Sequence, residues 1–246
     1  MNAFFYAMAS LVVVSGISLV GVFTLVRQQG FKRFVWVLVS FAAGTLVGDA
    51  FLHLLPEAAA NGFSSGTSFL VLAGIAAFFV LEKFVHWRHC HVPTSEQHPH
   101  PLAFMNLVGD AVHNFVDGLV IGGSYLASIP LGITTSLAVV FHEVPQEIGD
   151  FGVLVHAGLT PRKALLLNFL SALTAVAGGL AAFAVGAFVE GFSAALVPFT
   201  AGGFLYIAVA DLIPEMHKET RPAKSVLQLL AFAVGIAVMT ALLSLE

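Results

Sequence analysis

The chain has 246 residues, 58% of them hydrophobic and only 10% charged, with a mean hydropathy of +0.94. A soluble core of this size has no room for so much apolar surface, so the composition points to a lipid bilayer. A net charge of −4, a pI near 6.2 and the lack of any basic run exclude nucleic acid as a natural partner, and Cys90 as the sole cysteine excludes an internal disulfide or a multi-cysteine metal site.

Apolar windows of about 20 residues predict eight helices in chain order: Phe4–Val26, Phe34–Leu55, Thr67–Val85, Leu102–Tyr125, Leu131–Val155, Ala164–Val189, Ser193–Ile213 and Ser225–Leu243. No Lys or Arg precedes the first window, and it outruns the apolar stretch of a signal peptide, so it reads as a retained span. The links are short Gly, Pro or Ser clusters, such as Asn61-Gly62-Phe63-Ser64-Ser65-Gly66 and Ser128-Ile129-Pro130. Residues 1–246 thus read as a single polytopic transmembrane domain, with residues 86–101 as a short His-containing loop.

The ten Lys and Arg residues fall only on odd-numbered connections. Arg27, Lys32 and Arg33 follow the first helix, and Lys83 and Arg88 flank the end of the third. Arg162 and Lys163 precede the sixth, while Lys218, Arg221 and Lys224 join the seventh to the eighth. The positive-inside rule then puts both termini outside the cytoplasm. An integral protein of the bacterial cytoplasmic membrane is the expected location.

Two segments match at an offset of 158 residues: Phe41-Ala42-Ala43-Gly44 with Phe199-Thr200-Ala201-Gly202, and Leu54-Leu55-Pro56-Glu57 with Leu212-Ile213-Pro214-Glu215. With the orientation above, the two Pro-Glu ends lie on opposite membrane faces, as in transporters built from inverted repeats. The expected fold is all-α and integral to the membrane. It has eight transmembrane helices, with helices one to three and six to eight as inverted repeats around a central pair, four and five.

The predicted spans carry an unusual polar cargo. Asp49 and His53 sit in helix two, Asp110, His113, Asn114 and Asp117 in helix four, and His142, Glu143, Gln146, Glu147 and Asp150 in helix five. An ionised side chain at mid-bilayer costs about 2.5–3.5 kcal/mol even on the mildest scale, and no Lys or Arg lies deep in any span to offset it. The acids are therefore either protonated or neutralised by a bound cation. Interhelical hydrogen bonding accounts for one or two such groups, but not for this many on two adjacent helices.

His113 and Asp117 are four residues apart and share a helix face, with Asn114 beside them. His142 and Gln146 repeat that spacing, with Glu143 alongside. Antiparallel and facing each other, the two helices offer two imidazoles, two carboxylates and two amide oxygens to one cavity. Imidazole with oxygen, and no thiolate, suits Zn²⁺ or Fe²⁺ better than Mg²⁺ or Ca²⁺. Pro145 removes one backbone donor and leaves the Phe141 carbonyl as a further candidate ligand.

At these residues the sequence resembles the ZIP (Zrt-, Irt-like protein) family of divalent metal transporters. The carrying motifs are His113-Asn114-Phe115-Val116-Asp117-Gly118 and His142-Glu143-Val144-Pro145-Gln146-Glu147-Ile148-Gly149-Asp150, supported by the segment from Gly48 to Glu57. The resemblance implies transport of divalent transition-metal ions into the cytoplasm through an intramembrane two-metal site, with zinc foremost and iron, manganese or cadmium as other cargo. One ion would sit among His113, Asp117, His142 and Gln146. The second would sit among Asn114, Asp117, His142 and Glu143, with Asp117 bridging. Asp49 and His53 would line the ion's outer path, and Asp211, Glu215 and His217 its inner end. The loop residues His86, His89, Cys90, His91, His98 and His100 would capture metal. Implied partners are Zn²⁺ or a similar divalent ion as cargo, membrane lipid and a second copy in a homodimer, with no organic cofactor. One departure stands out: the nearest subfamily has His where this chain has Gln146, which leaves metal preference open.

Two rivals remain at this point. His142-Glu143 opens like the zincin motif H-E-x-x-H, but the second His is missing and Pro145 breaks the turn, so a membrane metallohydrolase is disfavoured and the chain is not expected to be an enzyme. An exporter is excluded only by the family likeness.

Overall fold

The structure is a computed structural model that describes residues 3–20, 35–60, 62–87 and 101–245. Among the described residues every regular element is helical. We number the rods α1 (Ala3–Ile17, tapering into a 3₁₀ turn), α2 (Val35–Asp49, then Ala50–Leu54 and Leu55–Ala59), α3 (Ser65–Trp87) and α4 (Pro101–Ala127). There follow α5 (Ile129–His156), α6 (Pro161–Ala172 and Thr174–Gly186), α7 (Phe192–Tyr206, then Ile207–Leu212 and Ile213–His217) and α8 (Pro222–Leu242).

Local chemistry sets these ends. Ser128 caps α5 by accepting from the Leu131 amide at 3.2 Å, with Pro130 in the first turn, and Pro161 and Pro222 open α6 and α8 where a missing N–H costs nothing. Gly191 takes φ +76°, the left-handed conformation that closes the turn before α7. The break in α6 at Leu173 lies between Ser171 and Thr174, whose hydroxyls bond nearby carbonyls and compete with the helical ladder.

The α2 and α7 rods share a distortion. Each widens into a π-helical segment, Ala50–Leu54 in α2 and Ile207–Leu212 in α7, just before its Pro-Glu pair. A proline ring clashes with the carbonyl four residues back, here Leu52 and Ala210, and both of those lie inside the widened turns. By contrast, α5 runs as one continuous helix through Pro145.

The packing falls into two groups. Helices α1, α4, α5 and α6 pack on one another, while α2 pairs with α8 and α3 with α7; α2 against α5 and α7 against α4 join the groups. The α2–α8 and α3–α7 crossings are so close that a Cβ on Gly44 would run into the Phe232 carbonyl, and one on Gly202 into that of Val71. The shared core is built on Leu11, Leu46, Leu54, Ile121 and Phe204, all fully buried. Outside the spans, Arg221 holds Glu219 through two hydrogen bonds of 2.8 and 2.9 Å and pushes its carboxyl down to about 2, while Lys224 lies 5.1 Å from the Trp36 ring and ties α8 to the start of α2.

Six of the described rods are long and apolar enough to cross a membrane: α1, α2, α3, α6, α7 and α8. The two that fall short of the eight predicted are α4 and α5, and their polar cargo is the reason. Observed bounds also move outward: α2 continues to Ala59 and α7 to His217, because the widened turns carry the helix past each proline instead of ending it.

Candidate metal centre

Four side chains from α4 and α5 converge in the middle of the helical core. His113 Nε2 stands 3.4 Å from His142 Nε2 and 3.5 Å from both Asp117 Oδ2 and Glu143 Oε1. His142 Nε2 is 3.2 Å from Asp117 Oδ2 and 3.6 Å from Glu143 Oε1. One ligand atom from each residue lies within 4.8 Å of every other. Four donors at about 2.0–2.1 Å from a tetrahedral Zn²⁺ stand about 3.3–3.4 Å apart. Regular helical spacing alone delivers this set, because His113 and Asp117 are one turn apart and the facing turn of α5 brings His142 and Glu143.

The hydrogen bonding favours a cation there. His142 Nδ1 lies 3.2 Å from the Ala138 carbonyl, which can only accept, so Nδ1 carries a proton and Nε2 is the atom turned to the centre. Nε2 faces the Asp117 carboxylate at 3.2 Å. Asp117, Glu143 and His142 are buried, and neither Asp117 Oδ1 nor either Glu143 oxygen accepts from an amide, hydroxyl or backbone N–H among the described residues. Buried acceptors left without donors are costly, and a divalent ion satisfies them together. The residues present fit such an ion.

Asn114 is fully buried, and its amide nitrogen donates back to Asp110, to Oδ1 at 2.8 Å and to the backbone carbonyl at 3.2 Å. Gln146 lines a cavity of about 250 Å³ together with His113, Asp110, Asp150, Glu82 and Asp211.

One set of residues escaped the sequence reading. From α6, Asn168 donates to Glu147, Ser171 donates to Asp110, and Thr174 donates to the Ala111 carbonyl at 2.5 Å. On α4 itself, Asn106 donates to Asp150 at 2.6 Å. The available signal was the spacing of Asn168, Ser171 and Thr174, three residues apart on an otherwise apolar helix.

The predicted path residues divide. His53 is buried, bonded through Nε2 to the Met239 carbonyl at 2.9 Å, and borders a second cavity of about 370 Å³ with Glu57 and Ser128, beyond the C-terminal end of α4. Asp49 is buried within α2. Asp211 borders the first cavity, on the N-terminal half of α4. Asp211, Glu215 and His217 are all exposed, and Glu215 pairs with Lys218. His89, Cys90, His91, His98 and His100 lie outside the described residues, as does the side chain of His86.

Comparison with known proteins agrees with this chemistry. The family profile described as ZIP zinc transporter matches residues 2–102 and 89–243. The zinc transporter SLC39A7 of Rattus norvegicus is 30% identical over 98% of this chain and 72% of its own length. Zinc transporter zipt-7.1 of Caenorhabditis briggsae is 32% identical over 94% of this chain and 77% of its own length. Zinc transporter ZIP13 of Pongo abelii is 36% identical over 88% and 69%. These relatives are animal proteins, which removes the bacterial part of the expected location and leaves a membrane protein.

Proposed function

The chain belongs to the ZIP zinc transporter family, and from that premise we propose that it carries divalent transition-metal ions, zinc foremost, into the cytoplasm through a two-ion site between α4 and α5. The observation that carries this reading is the convergence of buried Asp117, His142 and Glu143 with half-buried His113 at the spacing a zinc ion imposes. Asn114 and Gln146 complete the site with amide oxygens, and Asp117 is shared by both ions. Mixed nitrogen and oxygen ligation without thiolate binds borderline ions firmly enough to select them and loosely enough to release them.

The proposed path has two ends. The cavity at His53 and Glu57 is the outer approach, and the one lined by Gln146, Asp150 and Asp211 is the inner exit. The basic connections lie toward the inner end, so the positive-inside rule directs the cavity lined by Gln146, Asp150 and Asp211 to the cytoplasm and both termini away from it. Carboxylates along the exit lower the energy of a departing cation. His-rich residues of the loop 86–101 are proposed as its receivers, in a chain that works as a homodimer.

Eight spans in inverted repeats are part of the same proposal. Gly44 faces the Phe232 carbonyl and Gly202, 158 residues on, faces Val71; in return Gly235 faces the Phe41 carbonyl and Gly74 faces Phe199, again 158 residues on. The widened turns before Pro56 and Pro214 obey the same offset. Such agreement in backbone contacts supports a repeat more strongly than shared apolar letters.

Uptake of zinc by sealed proteoliposomes containing the purified chain tests the function. Accumulation that depends on the protein and is competed by Fe²⁺ or Cd²⁺, but not Mg²⁺, is expected. No uptake above empty vesicles would sink the reading.

A further inference from the structure

Resting on the reading of Asn114 as an ion ligand, we propose that Asp110, braced by Ser171 of α6, is a positioning residue that fixes Asn114 with its amide oxygen toward the ion. The two ends of the Asn114 amide have different surroundings. Asn114 Nδ2 is 2.8 Å from Asp110 Oδ1 and 3.2 Å from the Asp110 backbone carbonyl. A backbone carbonyl never donates, so the nitrogen must be the atom that points back along α4. The oxygen then points the other way. It is buried and has no hydrogen-bond partner among the described residues.

The orientation matters chemically. An amide oxygen is a metal ligand, whereas the NH₂ group is a donor whose hydrogens repel a cation. Rotating the Asn114 amide by half a turn would replace a ligand with a repulsive group at nearly unchanged volume. Asp110 opposes that rotation, since its oxygens accept and do not donate when ionised. Its other oxygen takes the Ser171 hydroxyl, and Ser171 and Thr174 bind α6 to this turn of α4. Outer partners of this kind are worth about 10–100-fold in metal affinity.

Asp110 also borders the exit cavity, so a direct pull on the ion is the competing role, and the experiment separates the two. Zn²⁺ is titrated into the purified full chain in detergent for the wild type, Asp110→Ala, Asp110→Asn, Ser171→Ala, Asn114→Ala and the doubles with Asn114→Ala. Asp110→Ala is expected to weaken one of the two sites about 10-fold or more. Asp110→Asn should stay near wild type, because its oxygen still accepts from Asn114 and its NH₂ can donate to Ser171. In the Asn114→Ala background, Asp110→Ala should add nothing. Additive losses, or an Asp110→Asn variant as weak as Asp110→Ala, would overturn the positioning role while leaving Asn114 a ligand. Wild-type affinities in Asn114→Ala would instead remove Asn114 from the site and the proposal with it. Should Asp110→Ala fail to fold, Ser171→Ala decides by the same cycle: a smaller loss that vanishes without Asn114 supports the proposal, and one that persists refutes it.

Discussion

The α4–α5 pair and the flanking α2–α7 pair handle polar residues in the membrane in different ways. On α4 and α5 the polar side chains stand on regular helical turns and meet face to face, so His113, Asp117, His142 and Glu143 converge with distances of 3.2–3.6 Å around the two imidazole nitrogens. On α2 and α7 the backbone itself is altered, widening before Pro56 and Pro214. There the polar side chains sit apart: His53 on one cavity, Asp211 on the other. The centre concentrates charge where a cation can cancel it. The flanks keep their polar groups apart, on separate cavities. Binding needs convergence, and passage needs the opposite.

The largest effect should come from breaking the centre. Asp117→Ala is expected to reduce zinc uptake to the level of empty vesicles, because one carboxylate faces both imidazoles and serves both proposed ions. Its expression and gel-filtration profile should match wild type. Wild-type uptake at equal protein would end the shared-site description.

The flanks are tested next by sidedness. Glu57 and Glu215 occupy corresponding positions after the two widened turns, and both are exposed. In a Cys90→Ser background, Glu57→Cys should react with an impermeant thiol reagent from outside and Glu215→Cys only from the cytoplasmic face. Reaction of both from one face would refute the inverted arrangement.

The contrast also explains what could be read from the sequence. The convergence of His113, Asp117, His142 and Glu143 was legible because α4 and α5 keep 3.6 residues per turn, so spacings of three and four translate directly into shared faces. Helix existence was legible from apolar length. The widened turns were not, since a π segment adds a residue to the turn and shifts every later side chain. Nor was the continuation of α2 to Ala59 and of α7 to His217, where Glu215 and His217 are exposed. Asn168 and Ser171 were missed for another reason: single small polar residues in apolar helices are common, and only their contacts with Glu147 and Asp110 mark these two.

A moderate effect is expected at the helix crossings that hold the flanks together. Gly44→Val and Gly202→Val each push a side chain into a backbone carbonyl of the partner helix, and overpacking of this kind costs about 1–3 kcal/mol. Both should lower the thermal unfolding midpoint in detergent, and by similar amounts if the two crossings are equivalent. Gly149→Ala, where an added Cβ meets nothing within 4 Å, is the control and should not destabilise. Equal midpoints for all three would show that the close crossings do not limit packing.

The smallest effect should come from Gln146, at the boundary between centre and path. It lines the exit cavity beside His113, one helical turn from His142, and contributes a neutral amide. Imidazole is the stronger donor to borderline ions such as Zn²⁺. Gln146→His should therefore tighten zinc binding and shift competition toward zinc over Mn²⁺ by a few-fold, about 1 kcal/mol or less. Uptake need not accelerate, because an ion held more firmly also leaves more slowly. The measurements are a zinc titration and competitive uptake on wild type and variant in the same lipid. Unchanged affinity together with unchanged selectivity would place residue 146 on the path alone, and the centre would then rest on the residues that converge around the two histidines.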